Sequence, residues 1–492
     1  MIQYIVYMDM LLKLRQLLLH KTLLVNLPKT RGDLYTFMGR NRQEKLDYLM
    51  QKIVGSSSSE SRKKIFEYII DFWERSTISV EYKAPGFKGI NLAKRPFLAP
   101  TGSNNAESFA FGEQYRWDTF FQNRGLLLAG GVDLALGQLL NLTDVYSEFK
   151  RIPNALVSPF LSRPQPPFEM AMVMDILRAG TPLTSEISHA VRMIEEELVT
   201  EWLDYQSGKQ NHRQSQEIVD KFGMLTRYEP HSNPFMVGCE DGKDHNWITS
   251  TYSYEHMPVQ LNAILYGVIS LLDEFYSHPQ WGNDRAKADT YKQLKGHMYS
   301  DFQKTFWCTT DKWEGFRNYS LIKGKEGLIL YGDLSTEIFP LFFKLATSEQ
   351  AEITKNNLQK YYKGDVGLAA TSLELRSGGS IPHEPPGLWK YQWEYPNCWP
   401  PLMMIAVEGL KNYGYVKEAG EYEKNWITHV EEEFAKYGGF AEKYAYSGDT
   451  KVEPGFYGTM RGFGWTIATY LWFMKDLSKA SAPPQCYDAH FL

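Results

Sequence analysis

Two acidic residues, far apart in the chain, have the residue type that acid–base chemistry on a sugar requires. Asp244 follows Gly242 and Lys243, and Glu442 is followed directly by Lys443. Cleavage of a glycosidic bond with inversion uses two carboxyl groups, one protonated to release the leaving oxygen and one ionised to activate water. A fold that brings both side chains to one cavity would therefore create a hydrolytic site.

Both carboxylates lie in segments that are rich in the side chains that hold a polyhydroxy ligand. Aromatic rings pack against sugar faces, and Arg, Asn, Gln and carboxylate groups bind hydroxyls. Six such segments span residues 113–121, 151–167, 227–247, 258–263, 392–401 and 441–466. The substrate contacts predicted from them are Trp117, Asp118, Asn154, Arg163, Gln165, Arg227, Glu229, Gly242, Trp393 and Trp399.

Each of these residues also has an ordinary structural explanation. An Asp near a Gly, such as Asp244, is usually a turn or cap residue. Glu442 beside Lys443 is typical of a solvated charge pair, and most tryptophans belong to a hydrophobic core. The functional interpretation depends on the segments occurring together in one chain.

In order and approximate spacing, the six segments resemble signatures of the trehalase family of inverting glycoside hydrolases. The resemblance covers about residues 92 to 475, and its most specific part is the ten-residue string at 392–401, QWEYPNCWPP, beside the family's QWDYPNGWAP. Residues 241–244 correspond to the family's SGWD, and residues 442–444 match its EKY. The resemblance implies cleavage of the α,α-1,1 bond of trehalose, with no metal or organic cofactor.

The same resemblance assigns Asp244 as general acid and Glu442 as general base. An acid that works near neutral pH needs a raised pKa, which burial and a neighbouring carboxylate can provide. The cation of Lys243 would oppose this effect if it pointed inward. We therefore expect its ammonium group to point away from Asp244.

Several positions depart from the family pattern. A substrate-binding arginine expected three residues before Glu113 is replaced by Ala110, for which Arg116 is a possible substitute. Further differences are Lys243 for Trp, Gln260 for Asp, Glu394 for Asp, Cys398 for Gly, Pro400 for Ala, and a displaced Glu453 without the Gly-rich lid. A lost charged contact to a hydroxyl weakens binding by about 1.5 to 3 kcal/mol.

Three functions remain open from the sequence. The first is hydrolysis of trehalose to two glucoses, which the retained Asp244 and Glu442 favour. The second is hydrolysis of another α-glucoside or a modified disaccharide, which Ala110 and Lys243 favour. The third is a catalytically inactive sugar-binding or scaffold protein.

The elements that would position these residues are helices. Apolar residues recur every three or four positions over 183–204, 258–275, 402–413 and 415–437, whereas long alternating runs are scarce. The fold class is mainly α, and the resemblance implies an (α/α) barrel of six helix hairpins. We expect an N-terminal helical extension and Gly/Ser linker at 1–60, the barrel at 61–480, and a C-terminal tail at 481–492.

Composition excludes other classes of partner. The net charge of −5 offers no electrostatic footprint for nucleic acid, and the apolar runs are too short for a membrane span. Four scattered cysteines predict neither a disulfide framework nor a metal site and favour a reducing compartment. We therefore expect a soluble, cytoplasmic enzyme whose partner is a small disaccharide, and the sequence predicts no oligomeric state.

Overall fold

A computed structural model describes most of the barrel and part of the preceding segment. The described residues are 40–54, 59–78, 90–101, 111–204, 213–229, 234–244, 246, 255–310, 313–372, 374, 391–455 and 458–480. The predicted helix near the N-terminus, the Gly/Ser run at 55–58, the tail at 481–492 and Ala110 lie outside them.

Fifteen α-helices account for most of the described residues. They are α1 (Arg42–Leu49), α2 (Glu60–Ser76), α3 (Arg116–Leu128), α4 (Val132–Phe149), α5 (Glu169–Arg178), α6 (Ser185–Glu197), α7 (Gln216–Phe222), α8 (Pro234–Asp241), α9 (Val259–Ser277), α10 (Arg285–Phe306), α11 (Leu334–Phe342), α12 (Ser348–Asn357), α13 (Pro400–Asn412), α14 (Val416–Tyr437) and α15 (Gly464–Ala480). Wider helical turns at Met50–Val54, Leu198–Trp202 and Leu358–Tyr362 extend three of them.

The helices predicted from apolar periodicity are confirmed. In α6, for example, the side chain of Thr184 caps the first turn by accepting a hydrogen bond from the amide of Ile187. Ile187, Val191 and Ile194 form one buried stripe of this helix. Their side chains fix which face of α6 meets the core.

The described strands are short and form only small antiparallel sheets. They are β1 (Thr77–Ile78), β2 (Phe97–Leu98), β3 (His256–Met257), β4 (Trp307–Thr309), β5 (Glu314–Phe316), β6 (Tyr319–Ser320), β7 (Gly327–Leu328), β8 (Asn397–Cys398) and β9 (Tyr444–Ala445). The pairs are β1 with β2, β3 with β6, β6 with β7, β4 with β5, and β8 with β9. The pairing of β8 with β9 holds the segment before α13 beside the segment that contains Glu442.

Six helices form a closed inner ring. Each of α3, α5, α9, α11, α13 and α15 packs against the next one in this order, and α15 packs against α3 to close the ring. Helices α4, α6, α10, α12 and α14 lie outside and pack against inner helices or each other. This arrangement confirms the predicted (α/α) barrel.

The contact that closes the ring depends on small residues. A Cβ atom built on Gly125 of α3 would lie 2.8 Å from the Cα atom of Ala468 in α15. The two helix backbones therefore touch at this point, and only glycine leaves enough space. Elsewhere the N-terminal segment covers the ring, because Leu49 and Ile53 are buried against the same core.

The glycine at the ring closure predicts a stability difference between two Gly→Ala substitutions. Gly125→Ala should lower the free energy of unfolding by about 1 to 3 kcal/mol, because α3 and α15 must move apart to admit the methyl group. Gly296→Ala is the matched control, since Gly296 lies in α10 with open space around it. That substitution should leave stability unchanged or raise it by up to about 1 kcal/mol, because alanine favours the helix. Denaturant unfolding measures both, and equal effects would contradict the packing argument.

Candidate active site

One cavity lies where the N-terminal ends of inner helices meet. Its cavity volume is about 30 Å³, which is space for water-sized groups beside the two carboxyl groups. Its lining residues are Pro100, Phe111, Tyr115, Trp117, Asp118, Gln165, Gly242, Asp244, Trp393, Glu442, Phe463 and Trp465. The structure thus brings Asp244 and Glu442 together with five of the predicted substrate contacts.

The turn before Asp244 requires a glycine. Gly242 has a φ of +80°, and a Cβ atom built on it would lie 2.9 Å from the ring of Trp117. The preceding residue is also fixed, because Tyr228 donates a hydrogen bond to the Asp241 carboxylate and Gln260 donates one to its carbonyl. These contacts therefore fix the backbone conformation that leads to Asp244.

Asp244 has the electrostatic environment of a proton donor. Burial, then the charges of Asp241 and Glu442, raise the pKa of Asp244 to about 7, while a hydrogen bond from the Cys239 thiol opposes the rise. Its Oδ1 atom is buried and has no hydrogen-bond partner among the described residues. This carboxyl group can hold a proton near neutral pH and present it to a ligand.

Glu442 is held by backbone hydrogen bonds on both sides. Its amide donates to the carbonyl oxygen of Met460, and its own carbonyl accepts a bond from the indole of Trp465 at 2.8 Å. Thr466 in turn binds the carbonyl of the preceding Ala441 at 2.7 Å. The start of α15 therefore fixes where Glu442 enters the cavity.

A buried lysine accompanies Glu442. The Nζ atom of Lys443 lies 3.0 Å from the Glu442 carboxylate and 3.1 Å from the side-chain oxygen of Gln392, and also binds the carbonyl oxygens of Pro454 and Gly458. Burial lowers the pKa of Lys443, although Glu442 opposes the change. This ion pair is enclosed, in contrast to the solvated pair that the local sequence alone suggests.

Asp118 is a third carboxylate in the cavity. It is 7% exposed, and burial together with the charges of Asp244 and Glu442 raises its pKa well above the usual value. Its Oδ1 atom has no hydrogen-bond partner in the described part of the chain. Asp118 can therefore accept hydrogen bonds from ligand hydroxyls.

Aromatic rings supply the walls. Trp117 and Trp393 both line the cavity, and Trp393 stacks on Trp399 with ring centroids 3.7 Å apart. Trp399 is fully buried behind it, so the structure gives Trp399 a supporting position rather than a lining one. Trp465 meets both rings edge-on.

Gln165 has two structural roles. It lines the cavity, and its side-chain oxygen accepts a hydrogen bond from the backbone amide of Trp117 at 2.8 Å. This bond satisfies an amide in the first turn of α3, where helices lack internal acceptors. Gln165 thus holds the end of α3 that carries Trp117 and Asp118.

Four other predicted contacts do not line the cavity. Asn154, Arg163 and Glu229 lie against α8 instead, and Arg163 binds Glu240 at 2.7 Å. The carbonyl oxygen of Arg227 accepts a hydrogen bond from Arg213. Asn154 donates to the carbonyl of Cys239 at 2.7 Å, while Glu229 lies between arginines in the same ion-pair group. Asn154, Arg163 and Glu229 thus brace the helix that precedes Asp244. Contact of all four residues with a substrate stays a prediction.

The two basic residues at altered positions are engaged elsewhere. Arg116 is fully buried and binds Glu169 and Glu197 in two-pronged ion pairs, so it does not supply the missing substrate-binding guanidinium. Lys243 donates to Asp333 at 2.7 Å and to Ser335 at 2.8 Å. As expected, its ammonium group binds partners other than Asp244.

Five lining residues were not among the predicted contacts: Pro100, Phe111, Tyr115, Phe463 and Trp465. Tyr115, Phe463 and Trp465 lie within the segments recognised in the sequence, where their position beside a predicted contact was the available signal. Pro100 and Phe111 lie outside those segments. Among the described residues no His, Cys, Asp and Glu group is arranged to hold a metal, and no helix is long and apolar enough to cross a membrane.

Comparison with known proteins gives consistent relatives. The sequence profile of the family described as Trehalase matches residues 19–235 and 221–478. A periplasmic trehalase of Escherichia coli O6:H1 is 25% identical over 438 residues, covering 81% of this chain and 72% of the relative. A periplasmic trehalase of Pseudomonas aeruginosa is 24% identical over 487 residues, covering 90% and 81%.

Solved structures show the same fold. Neutral trehalase Nth1 from Saccharomyces cerevisiae superposes with a TM-score of 0.63 at 21% identity, covering 78% of this chain and 75% of that one. A GH63 mannosylglycerate hydrolase from Thermus thermophilus, in complex with glucose, gives a TM-score of 0.55 at 14% identity, with coverage of 85% and 99%. The predicted cytoplasmic location is wrong, because the bacterial relatives are periplasmic proteins.

The raised pKa of Asp244 predicts a pH-dependent stability change in Asp244→Asn. Between about pH 4 and pH 7 the folded protein keeps a proton on Asp244 that the unfolded chain has lost, so rising pH removes stability. Asparagine cannot ionise, and at pH 8 the variant should be more stable than the parent by on the order of 2 to 4 kcal/mol. The difference should vanish near pH 4.

Unfolding followed across this pH range measures the effect. Asp449→Asn, at an exposed position, is the control and should show no such trend. An Asp244→Asn variant that is equally stable with the parent at pH 4 and pH 8 would mean that Asp244 ionises normally.

Proposed function

This chain belongs to the trehalase family, and we propose that it hydrolyses α,α-trehalose to two glucoses with Asp244 as general acid and Glu442 as general base. The observation that carries the proposal is their shared position: both carboxyl groups line one cavity with the rings of Trp117 and Trp393. Inversion requires an acid and a base on opposite sides of the bond, with space between them for water.

In the proposed reaction Asp244 protonates the oxygen of the leaving glucose. Its pKa of about 7 keeps a large fraction of the carboxyl group protonated near neutral pH. Glu442 removes a proton from a water molecule, which attacks the anomeric carbon from the other face. The nearby ammonium of Lys443 stabilises the negative charge that Glu442 needs before it accepts that proton.

The positive charge that develops on the sugar ring in the transition state also has partners. Asp118 and Glu442 line the cavity, and no arginine or lysine belongs to its described lining. Carboxylates close to an oxocarbenium-like ring stabilise it more than the neutral ground state. Glu442 is the ionised carboxylate for this charge, while Asp118, whose raised pKa favours the neutral form, binds ring hydroxyls by hydrogen bonds.

A second candidate is hydrolysis of a different α-glucoside. The same lack of arginine or lysine in the described lining favours it, because no described lining residue supplies the guanidinium contact that the family resemblance leads us to expect. Arg116 and Lys243 are both bound to carboxylates outside the lining. A substrate panel that includes trehalose and other α-linked glucosides separates the two candidates.

Substitution of each carboxylate tests the assigned roles. Asp244→Asn and Glu442→Gln should each reduce kcat on trehalose by about 10² to 10⁴-fold, since each removes one proton-transfer group. Glu432→Gln, at an exposed site on α14, should leave kcat unchanged. Glucose release measures all three.

An activated substrate distinguishes acid from base. Fluoride leaves without protonation, so Asp244→Asn should keep much of the parent's rate on α-glucosyl fluoride, whereas Glu442→Gln should not. If both variants lose activity equally on the fluoride, the acid role of Asp244 is wrong. If the parent protein hydrolyses none of the sugars tested, the proposal fails, and sugar binding measured without turnover would instead support the inactive sugar-binding protein.

The pH profile provides an independent test. The rate should fall as pH rises through about 7, because Asp244 then loses the proton it must donate. Asp241→Asn removes a negative charge that raises this pKa, so the falling limb should move to lower pH. Asp449→Asn should leave the limb in place, and an unchanged limb in Asp241→Asn would contradict the assignment.

A further inference from the structure

A second cavity lies at the opposite end of the ring, by the C-terminal halves of α3, α5 and α15. Its cavity volume is about 190 Å³, and the segment that follows α1 lines one side of it. Its lining residues are Tyr48, Lys52, Ile53, Arg124, Leu127, Leu128, Asp175, Ala179, Trp472 and Lys475. None of them belongs to the lining of the active-site cavity.

Arg124 is the unusual member of this lining. It is 1% exposed, and its Nε atom donates to Asp175 at 3.1 Å. Its two terminal nitrogens, Nη1 and Nη2, have no hydrogen-bond partner in the described part of the chain. A buried guanidinium normally satisfies its donors, because each unsatisfied polar group costs about 1 to 3 kcal/mol.

The surroundings of Arg124 stabilise its charge without using those donors. Its guanidinium carbon lies 4.7 Å from the ring centre of Trp472, 5.0 Å from that of Phe120 and 5.5 Å from that of Phe342. Aromatic faces attract the cation, but they do not accept conventional hydrogen bonds from the N–H groups in the guanidinium plane. The two terminal nitrogens are therefore suited to an oxyanion, which accepts two parallel hydrogen bonds.

The cavity has an excess of positive charge. Lys52 and Lys475 line it together with Arg124, whereas Asp175 is the single carboxylate among its lining residues. The complete chain carries a net charge of −5, so this surface has the opposite sign from the whole. Three cationic groups against one carboxyl group in the lining favour an anionic ligand, and a doubly charged anion over a singly charged one.

The carbonyl oxygens at the ends of the neighbouring helices already have hydrogen-bond donors. The final turn of α3 is closed by the amides of Ala129 and Gly131, and that of α5 by the amides of Ala179 and Thr181. Because these carbonyl oxygens already accept backbone hydrogen bonds, they are weaker competitors for the guanidinium of Arg124. A ligand oxyanion therefore meets little competition from the helix ends.

The remaining walls suit an uncharged ring attached to the anion. Ile53, Leu127 and Leu128 are apolar, and Tyr48 and Trp472 present aromatic rings. We propose that this cavity binds a phosphate monoester of sugar size, with the phosphate group on Arg124 and the lysines and the ring against the apolar walls. The active-site cavity has no arginine or lysine in its described lining and so offers a phosphate group no cation.

Isothermal titration of the full chain tests the proposal with three probes: inorganic phosphate, glucose 6-phosphate and glucose. Both phosphates should bind saturably, and glucose 6-phosphate should bind more tightly because its ring adds apolar contact. Lys52→Gln combined with Lys475→Gln should weaken both at least about tenfold, since each lysine contributes a charged contact. Arg124→Lys should also weaken them, because lysine lacks the two-pronged fork.

The control removes the same charge elsewhere. Lys417→Gln combined with Lys424→Gln changes two exposed positions on α14 and should leave phosphate binding intact. Arg124 is buried and its substitution can impair folding, whereas Lys52 is exposed, so the lysine pair carries the test. If the lysine pair binds either phosphate as well as the parent, or loses glucose binding as much as phosphate binding, the proposal is wrong. The titration does not depend on hydrolysis, so it is independent of the proposed function.

Discussion

The packing of α15 against α3 is the contact on which the rest of the structure depends. These helices lie near opposite ends of the described chain, and their backbones touch at Gly125 and Ala468. Without this closure the other inner helices would form an open arc. The contact places the segment that carries Glu442 beside the first turn of α3, which carries Trp117 and Asp118.

Ring closure also determines the electrostatics of the cavity. Carboxyl groups from three separate segments meet in a space that excludes most water, so burial and mutual repulsion act together on Asp118 and Asp244. The basic residues nearby are bound in other ion pairs, as Arg163 is to Glu240. Among the described residues, Lys443 beside Glu442 brings a cation close to the carboxyl groups of the cavity.

The sequence predicts the fold class and much of the cavity, because both depend on local patterns. Apolar periodicity identifies helices such as α6 and α14, and the segments around Asp244 and Trp393 carry residues that depend little on distant context. Which side chains of a motif face inward depends on packing between helices. Trp399 matches its motif as well as Trp393 does, yet it lies behind that ring.

Charged residues were the hardest to assign from sequence. Arg116 and Arg163 have the residue type of a hydroxyl clamp, but their partners, such as Glu169 and Glu240, are 53 and 77 positions away in the chain. A buried guanidinium takes whichever carboxylate the fold supplies, and no local pattern reveals that choice. The same reason applies to Lys243 and its partner Asp333, which are 90 positions apart.

Helix α3 contributes to both cavities and to the ring closure within a short stretch of sequence. Trp117 and Asp118 line one cavity, Arg124 lines the other, and Gly125 touches α15. Each residue of an α-helix is turned by about 100° from the one before it. Insertion or deletion of one residue between Asp118 and Arg124 would rotate one group away while the other stayed in place. Length variation in this protein must therefore fall in the connecting loops, while α3 accepts changes of residue type alone.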